Sequence, residues 1–226
     1  MEREGEEILK SPKWFCVVGA LAVIGVAAPT APMALVILNP TSATPGRLPD
    51  GWELKVHRGS PDLTVIGEGS GRVLRFKSRS SSFGIERGVD VDVSQYPLLT
   101  WTWKVSELPA GGDFRHFATD DQAAQVMVAF TDRRILTYIW DSSAPKGDWE
   151  SASSVPLLHI FALVCHSGAA ELNQWLPETH NLAQDFRKAY QREPSRVKGI
   201  RLQINSQHTG SSAESYFGDV SFRAAQ

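Results

Sequence analysis

The chain has 226 residues, 42% of them apolar and 9% aromatic, enough for one domain of about 150–200 residues and an additional terminal segment. Its 23 basic and 25 acidic residues are spread along the sequence and leave a formal charge of −2, so there is no electrostatic footprint for nucleic acid or for an anionic lipid surface. It has no nucleotide fingerprint, nucleophile elbow or zinc-ligand spacing, so no motif announces an activity.

Residues 14–28 read WFCVVGALAVIGVAA, an uncharged run after Lys10 and Lys13 and before Pro29 and Pro32. An apolar stretch of about 7–15 residues followed by small residues is a secretory-signal pattern, whereas a membrane span needs about 20. Apolar character continues through Leu35 to Leu38, so a Pro-broken span of roughly 25 residues is the alternative. The acidic start, with Glu2, Glu4, Glu6 and Glu7, counts against both. Residues 1–39 are expected to be an apolar helix serving as a signal peptide or as an uncleaved N-terminal membrane anchor. Either places the remaining chain outside the cytoplasm, in the periplasm or tethered to the membrane. Cys16 lies in this run and lacks the Leu-x-x-Cys spacing of a lipoprotein signal; Cys165 lies in the apolar segment LLHIFALVC. No intradomain disulfide is expected, and Cys165 reads as a small buried apolar residue.

Residues 40–49, NPTSATPGRLP with the preceding Asn39, have a linker composition, so the folded domain is expected to span residues 50–226. Short alternating runs follow in WELKVHR, DLTVIG, RVLRFKS, FGIER and LLTWTWKVS, then in AAQVMVAF, ILTYIW, PLLHIFALVC, VKGIRLQIN and ESYFGDVSF. The glycines at 67, 69 and 71 join two of these runs with no helix after them, which makes GEGSG a hairpin connection. Residues 156–165 are apolar at both parities, as in a central strand covered on both faces. About ten strands predict a mainly β chain, an antiparallel β-sandwich of the jelly-roll or galactose-binding-like kind. One short helix is predicted in NLAQDFRKAYQ, with Leu182, Phe186 and Tyr190 on one face, Asn181 as cap and Pro194 beyond its end.

In LLTWTWKVS, Leu99, Trp101, Trp103 and Val105 share the apolar parity, and Thr100, Thr102 and Lys104 share the other. Similar polar sets occur elsewhere, with Arg75 and Lys77 on one strand, Gln125 and Met127 on another, and Gln203 and Asn205 in the segment QINSQHTG. If those strands share a sheet, Lys77, Thr102, Lys104, Gln125, Gln203, Asn205, Gln207 and His208 form a polar floor for a polyol, with Trp140 as an aromatic wall. The alternative is the ordinary wet face of a sandwich, with QINSQHTG tying the next loop through side-chain to backbone hydrogen bonds.

Clustered carboxylates in an exported β domain suit calcium, so Asp120, Asp121 and Asp219 are candidate ligands for a structural ion. Asp113 and His116 lie just upstream of the first two. The six histidines are scattered, and no cofactor is required by any motif. Three functions remain open. The favoured one is a non-catalytic binding module for carbohydrate or a cell-envelope polymer. The second is an envelope glycan hydrolase using carboxylates such as Asp120, Asp121 and Glu178, with Asp185 also available. The third is a protein–protein interaction domain.

Read together, the motifs LPDGWEL and WTWKV, the Asp-Asp pair before an alternating strand, LTYIW, the pattern W-x-x-E-x-x-N-x-x-x-D-F from Trp175 to Phe186, and AESYFGDVSF resemble the bacterial family called domain of unknown function 3047. The resemblance covers residues 48–222. It implies an exported bacterial protein with a sandwich domain similar to galactose-binding or jelly-roll modules, and it brings no established activity. The family pattern carries aspartates in the segment matching residues 204–209 and an arginine near Gln125. This chain has Asn205, Gln207 and His208 there, a departure that counts against a charge-dependent ligand or tight metal site and leaves neutral polar recognition or simple structural hydrogen bonding.

Overall fold

A computed structural model describes residues 33–151 and 159–225, which form thirteen strands and one α-helix. Alternation of apolar and polar residues dictates two layers, because each strand has one face that must leave water. The first sheet contains β1 (Ala34–Leu38), β3 (Asp62–Glu68), β4 (Gly71–Arg79), β6 (Leu98–Glu107), β11 (Leu176–Asn181) and β13 (Ser212–Arg223). Its order is β11-β6-β13-β4-β3, and β1 pairs with the C-terminal half of β13. The second sheet contains β2 (Glu53–Arg58), β5 (Ser82–Val91), β7 (Ala124–Phe130), β8 (Arg134–Asp141), β9 (Trp149–Ser151), β10 (His159–Ser167) and β12 (Val197–Asn205). Its order is β2-β5-β12-β7-β8-β10-β9.

The inward parities meet in one core. Trp101 and Trp103 of β6 are buried, as their alternation predicts, and Trp101 packs on Tyr138 of β8 at 5.2 Å between ring centroids. Phe76 of β4 stacks across the gap on Phe83 of β5 at 6.0 Å and meets Phe217 of β13 edge-on at 5.2 Å. The β3–β4 pairing runs to Glu68 and Gly71, which leaves a two-residue turn at Gly69 and Ser70. Gly69 has φ of +59°, a conformation that suits glycine and confirms GEGSG as a hairpin. The helix α1 (Leu182–Tyr190) starts where the Asn181 side chain accepts from the Gln184 N–H at 3.1 Å. It buries Leu182 and Phe186, the latter 4.6 Å from Phe130. Tyr190 donates its hydroxyl to the Ile135 or His159 carbonyl at 2.7 and 2.8 Å, so the helix closes the end of the second sheet.

Four expectations need correction. The segment Ala34–Leu38, assigned from its composition to the apolar N-terminal run, is a strand, with Ile37 and Leu38 buried. Residues 40–49 are no free linker. Asn39 caps a 3-10 turn at Pro40–Ser42 by accepting from Thr41 N–H at 3.0 Å, and Arg72 donates to the carbonyls of Thr41 and Ala43 at 3.2 and 2.8 Å. The sandwich is not wholly antiparallel, because β8 and β10 run parallel across the long connection that contains β9. Finally, β10 lies one strand from the edge and not at the centre. Its outward Ala162 and Val164 are covered by a loop through Phe114, in a small apolar cluster with Ile139 and Ala144. Residues 14–28 lie outside the described residues, as does the apolar helix expected there; among the described residues no helix is long and apolar enough to cross a membrane.

Candidate functional site

On the outward parity of the second sheet, beside the loop through Phe114, polar and apolar groups meet in one groove. On β12 the outward residues are Arg201, Gln203 and Asn205; on β7 they are Gln125, Met127 and Ala129; on β8 and β10 they include Ile135 and Ile160. Together with His57 of β2 they floor a groove of about 560 Å³, continuous with a smaller recess of about 130 Å³ around Gln122, Gln125 and Thr137. Such a volume is within the usual range for a small-molecule site, about 300–1,000 Å³.

Two loops make its lip. The first, leading into β7, carries Phe117 on a 3-10 turn (Phe117–Thr119), 71% exposed, against the His208 ring at 5.2 Å. It is held by Asp141, a buried carboxylate that accepts from Phe114 N–H at 3.0 Å and from Ser143 and Ala144 N–H at 2.8 Å each. Burial raises the Asp141 carboxyl although those three amides pull it down. The second loop follows β12. Asp121, fully buried, accepts from His208 N–H at 3.2 Å and from the amide and hydroxyl of Thr209 at 2.7 and 2.8 Å. Asn205 accepts from Gln122 N–H at 2.9 Å and from the Gln125 amide at 2.6 Å, and donates to the Asp120 carbonyl at 2.7 Å. QINSQHTG therefore divides its labour. Asn205 and Thr209 tie the two loops together, and Ser206 is buried against the Ser78 hydroxyl at 2.7 Å. Gln203, Gln207 and His208 line the groove.

The groove carries few charges, an arginine and, among the described residues, the Asp120 carboxyl. Arg201 is held by Glu86, with one bond from Nε at 3.1 Å and a second, shorter one from Nη2. Burial alone would raise the Glu86 carboxyl, but hydrogen bonds from Arg201 and Lys55 hold it below the ordinary value. Arg201 Nη1 also donates to His57 Nε2 at 3.0 Å. Burial first, and the Arg201 charge second, push His57 down, so it stays neutral with Nε2 as acceptor. Asp120 is raised, chiefly by burial, against a hydrogen bond from Gln122 at 2.9 Å. His208 donates from Nδ1 to the Asp120 carbonyl at 3.0 Å. Among the described residues the Gln207 amide has no hydrogen-bond partner, and the Gln203 amide has one, Arg201, at 3.4 Å.

The residues expected to share one polar floor lie on two faces. Lys77, Thr102 and Lys104 belong to β4 and β6 of the first sheet, whose outer face points away from the groove. There Lys77 pairs with Glu214 at 3.1 Å. Lys104 pairs with Glu68 and lies over the Tyr216 and Trp175 rings at 4.4 and 5.1 Å. Thr102 faces Gly218, whose added Cβ would meet its hydroxyl at 2.3 Å. Alternation tells which face of a strand is wet but not which sheet the strand joins. Trp140 is no aromatic wall: it is fully buried on the inward parity of β8 and donates to the Gly168 carbonyl at 3.2 Å. Asp219 is exposed on β13, and the oxygens of Asp120, Asp121 and Asp219 do not gather among the described residues. His57, Phe117, Met127 and Arg201 also line the groove; Met127 shares the parity of Gln125 and Arg201 that of Gln203, which is the sequence signal for those two.

The chain belongs to the family described as "Protein of unknown function (DUF3047)", whose pattern matches residues 50–221. No curated protein matches it. Among solved structures it is similar to the xyloglucanase domain of NopAA, a type three effector from Sinorhizobium fredii, in complex with cellobiose, at 11% identity and TM-score 0.49 over 79% of this chain and 95% of that one. It is also similar to the family 30 carbohydrate-binding module of a cellulosomal cellulase of Clostridium thermocellum, at 11% identity and TM-score 0.47 over 85% of this chain and 98% of that one. What those proteins bind is a property of theirs, and at such scores neither likeness bears on this chain's ligand.

Proposed function

We propose that this family member is an exported, non-catalytic binding module of jelly-roll or galactose-binding-like type, which takes a neutral glycan or another hydroxyl-rich cell-envelope polymer in the groove on the second sheet. The observation that carries this reading is a groove rich in free hydrogen-bonding groups whose arginine is paired within the protein. Its cation is matched by Glu86, His57 is neutral, and Gln203, Gln207 and His208 offer donors and acceptors to a ligand. A sugar ring needs both kinds of surface found here, amides for its hydroxyl rim and the Phe117, Met127 and Ile160 side chains for its C–H faces. Export in this reading rests on the apolar run at residues 14–28.

Hydrolysis is less well supported by the geometry. Glycosidases set two carboxyls about 5–10 Å apart across the bond they cut. Among the described residues Asp120 is the one carboxylate lining the groove. The Asp121 oxygens are held by His208 and Thr209, and Glu178 is on β11 of the other sheet.

The test is thermal melting of the full chain across neutral and anionic envelope glycans, each with calcium and with chelator, so that any calcium dependence at Asp120 or Asp121 registers separately. A ligand at ~100 times its dissociation constant stabilises the fold by about 2.7 kcal/mol, a shift of several degrees. We expect that shift with a neutral glycan, abolished by Gln203→Ala with Gln207→Ala and kept by Lys77→Ala with Lys104→Ala. Binding restricted to anionic polymers, or lost with the lysine pair alone, would overturn the assignment, as would no shift with any glycan.

A further inference from the structure

The interior margin where β11 overlies β10 holds a group of side chains that take no part in the groove. Glu178 and His180 are two residues apart on β11, so both face inward with Trp101 and Leu99, their partners on β6. On β10 the register against β8 slips between Val164 and His166, leaving Cys165 as an extra residue. That bulge lets two consecutive side chains reach the same strand. Cys165 Sγ lies 3.6 Å from His180 Nε2, and His166 Nε2 lies 2.6 Å from Glu178 Oε1. Cys165 is buried, at 7% exposure, as its apolar surroundings in the sequence imply, and its thiol faces an imidazole and a carboxylate.

We propose that Cys165, Glu178 and His180 form a binding site for a single zinc ion. Their ligand atoms all lie within 4.8 Å of one another, a gathering of three such side chains among the described residues. Tetrahedral zinc with the usual bond lengths requires about 3.6 Å between a thiolate and an imidazole nitrogen and about 3.4 Å between that nitrogen and a carboxylate oxygen. The corresponding separations are 3.6 Å for Cys165 and His180, and 3.3 Å for His180 Nε2 and Glu178 Oε2. A single nitrogen, His180 Nε2, thus faces both other groups at once, which one N–H cannot satisfy and one cation can.

The surrounding groups hold the ligands in the way metal sites require. Asp185 Oδ2 stands 3.5 Å from His180 Nδ1, where an Nδ1–H facing it would leave Nε2 to meet a cation. Asp185 is itself fixed by the Tyr138 hydroxyl at 2.7 Å. The second Glu178 oxygen is bound by His166, whose other nitrogen meets Glu171. A thiolate beside an imidazole selects a borderline-soft ion and disfavours calcium or magnesium, and three protein ligands leave a fourth position for water. The Glu178 and His180 side chains keep 14% and 16% of their exposure, which puts the cluster at the margin of the core and not at its centre.

The experiment uses the full chain with Cys16→Ser, which leaves Cys165 as its one thiol. After stripping with chelator it is titrated with cobalt(II), then with zinc. We expect a single equivalent of cobalt with thiolate-to-metal charge transfer in the near ultraviolet, displaced by zinc, and a thermal midpoint raised by zinc. Cys165→Ser should remove the charge-transfer band and the thermal shift, and Asp185→Asn should weaken affinity about 10–100-fold, as the loss of an outer-shell partner does. If Cys165→Ser fails to fold, alkylation of Cys165 in the parent chain decides, since bound zinc must protect the thiol. Absence of a charge-transfer band, or an alkylation rate unchanged by excess zinc, would overturn the site and leave the cluster as an ion-pair network. Glycan melts repeated on the stripped chain keep this result separate from that of the groove.

Discussion

Neighbouring carboxylates at positions 120 and 121 answer to opposite surroundings. Asp121 turns inward and accepts three hydrogen bonds from His208 and Thr209, so its role is to pin the loop after β12 against the loop before β7. Asp120 faces the groove with a single amide donor, and burial raises it above its ordinary value of 3.8. The consequence for stability follows from proton linkage. Below 3.8 the carboxyl is protonated in both folded and unfolded chains and has no effect. As pH rises past 3.8 the unfolded chain ionises first, while the folded chain keeps its proton, so the fold loses stability until pH passes the raised value. Asp120→Asn keeps the acceptor for Gln122 and removes this ionisation. Denaturant titrations of the two proteins from pH 3 upward should show the variant gaining on the parent as pH rises, then a constant difference. A difference independent of pH would mean that Asp120 is solvated.

At the scale of elements, β5 and β12 show how tightly the floor of the groove is built. Gly84 lies opposite Gln203, and a Cβ at Gly84 would come within 2.4 Å of the Leu202 carbonyl oxygen and 3.1 Å of the Gln203 Cα. Those are backbone atoms, which cannot swing aside, so Gly84→Ala should cost about 1–3 kcal/mol by overpacking. Urea unfolding would measure it, and an unchanged midpoint would show that the two strands part easily. Much of this architecture could be read from alternation. The inward Trp101 and Trp103, the turn at Gly69 and Ser70, and the Asn181 cap of α1 are local patterns, and each depends on a few adjacent residues. The missed elements each needed distant partners. The β11 segment LPETHN is polar and contains Pro177, which is tolerated because β11 is an edge strand. The polar parity of β6 looked like that of β12, and nothing local tells that they belong to different sheets. The bulge at Cys165 is one residue of register, invisible in an apolar run, yet it brings the thiol to His180.

The sandwich as a whole shows two unlike outer faces around one core. The first sheet closes its charges on themselves, with Lys104 on Glu68, Lys77 on Glu214, and Arg75 between Asp62 and Glu214 at 3.4 and 3.6 Å. The second sheet leaves amides open. Both depend on a frame that begins before the part of the chain matched by the family pattern. In β1, Ala34 to Leu38 extend the first sheet beside β13, and Ile37 and Leu38 enter the core. The Ile37 carbonyl also accepts from the Trp52 indole at 3.3 Å and from Arg87 Nη1 at 2.5 Å. A chain starting at residue 50 would lose two buried aliphatic side chains worth roughly 3–6 kcal/mol together. It would also expose the ladder edge of β13, a template for self-association. Against a typical domain stability of about 5–15 kcal/mol this is a large fraction. Chains beginning at residues 33 and 50, compared by denaturant unfolding and by light scattering, should therefore differ by several kcal/mol, with the shorter one aggregating. Equal midpoints and two monodisperse monomers would mean that the sandwich closes without β1, and that the matched segment is the complete folding unit.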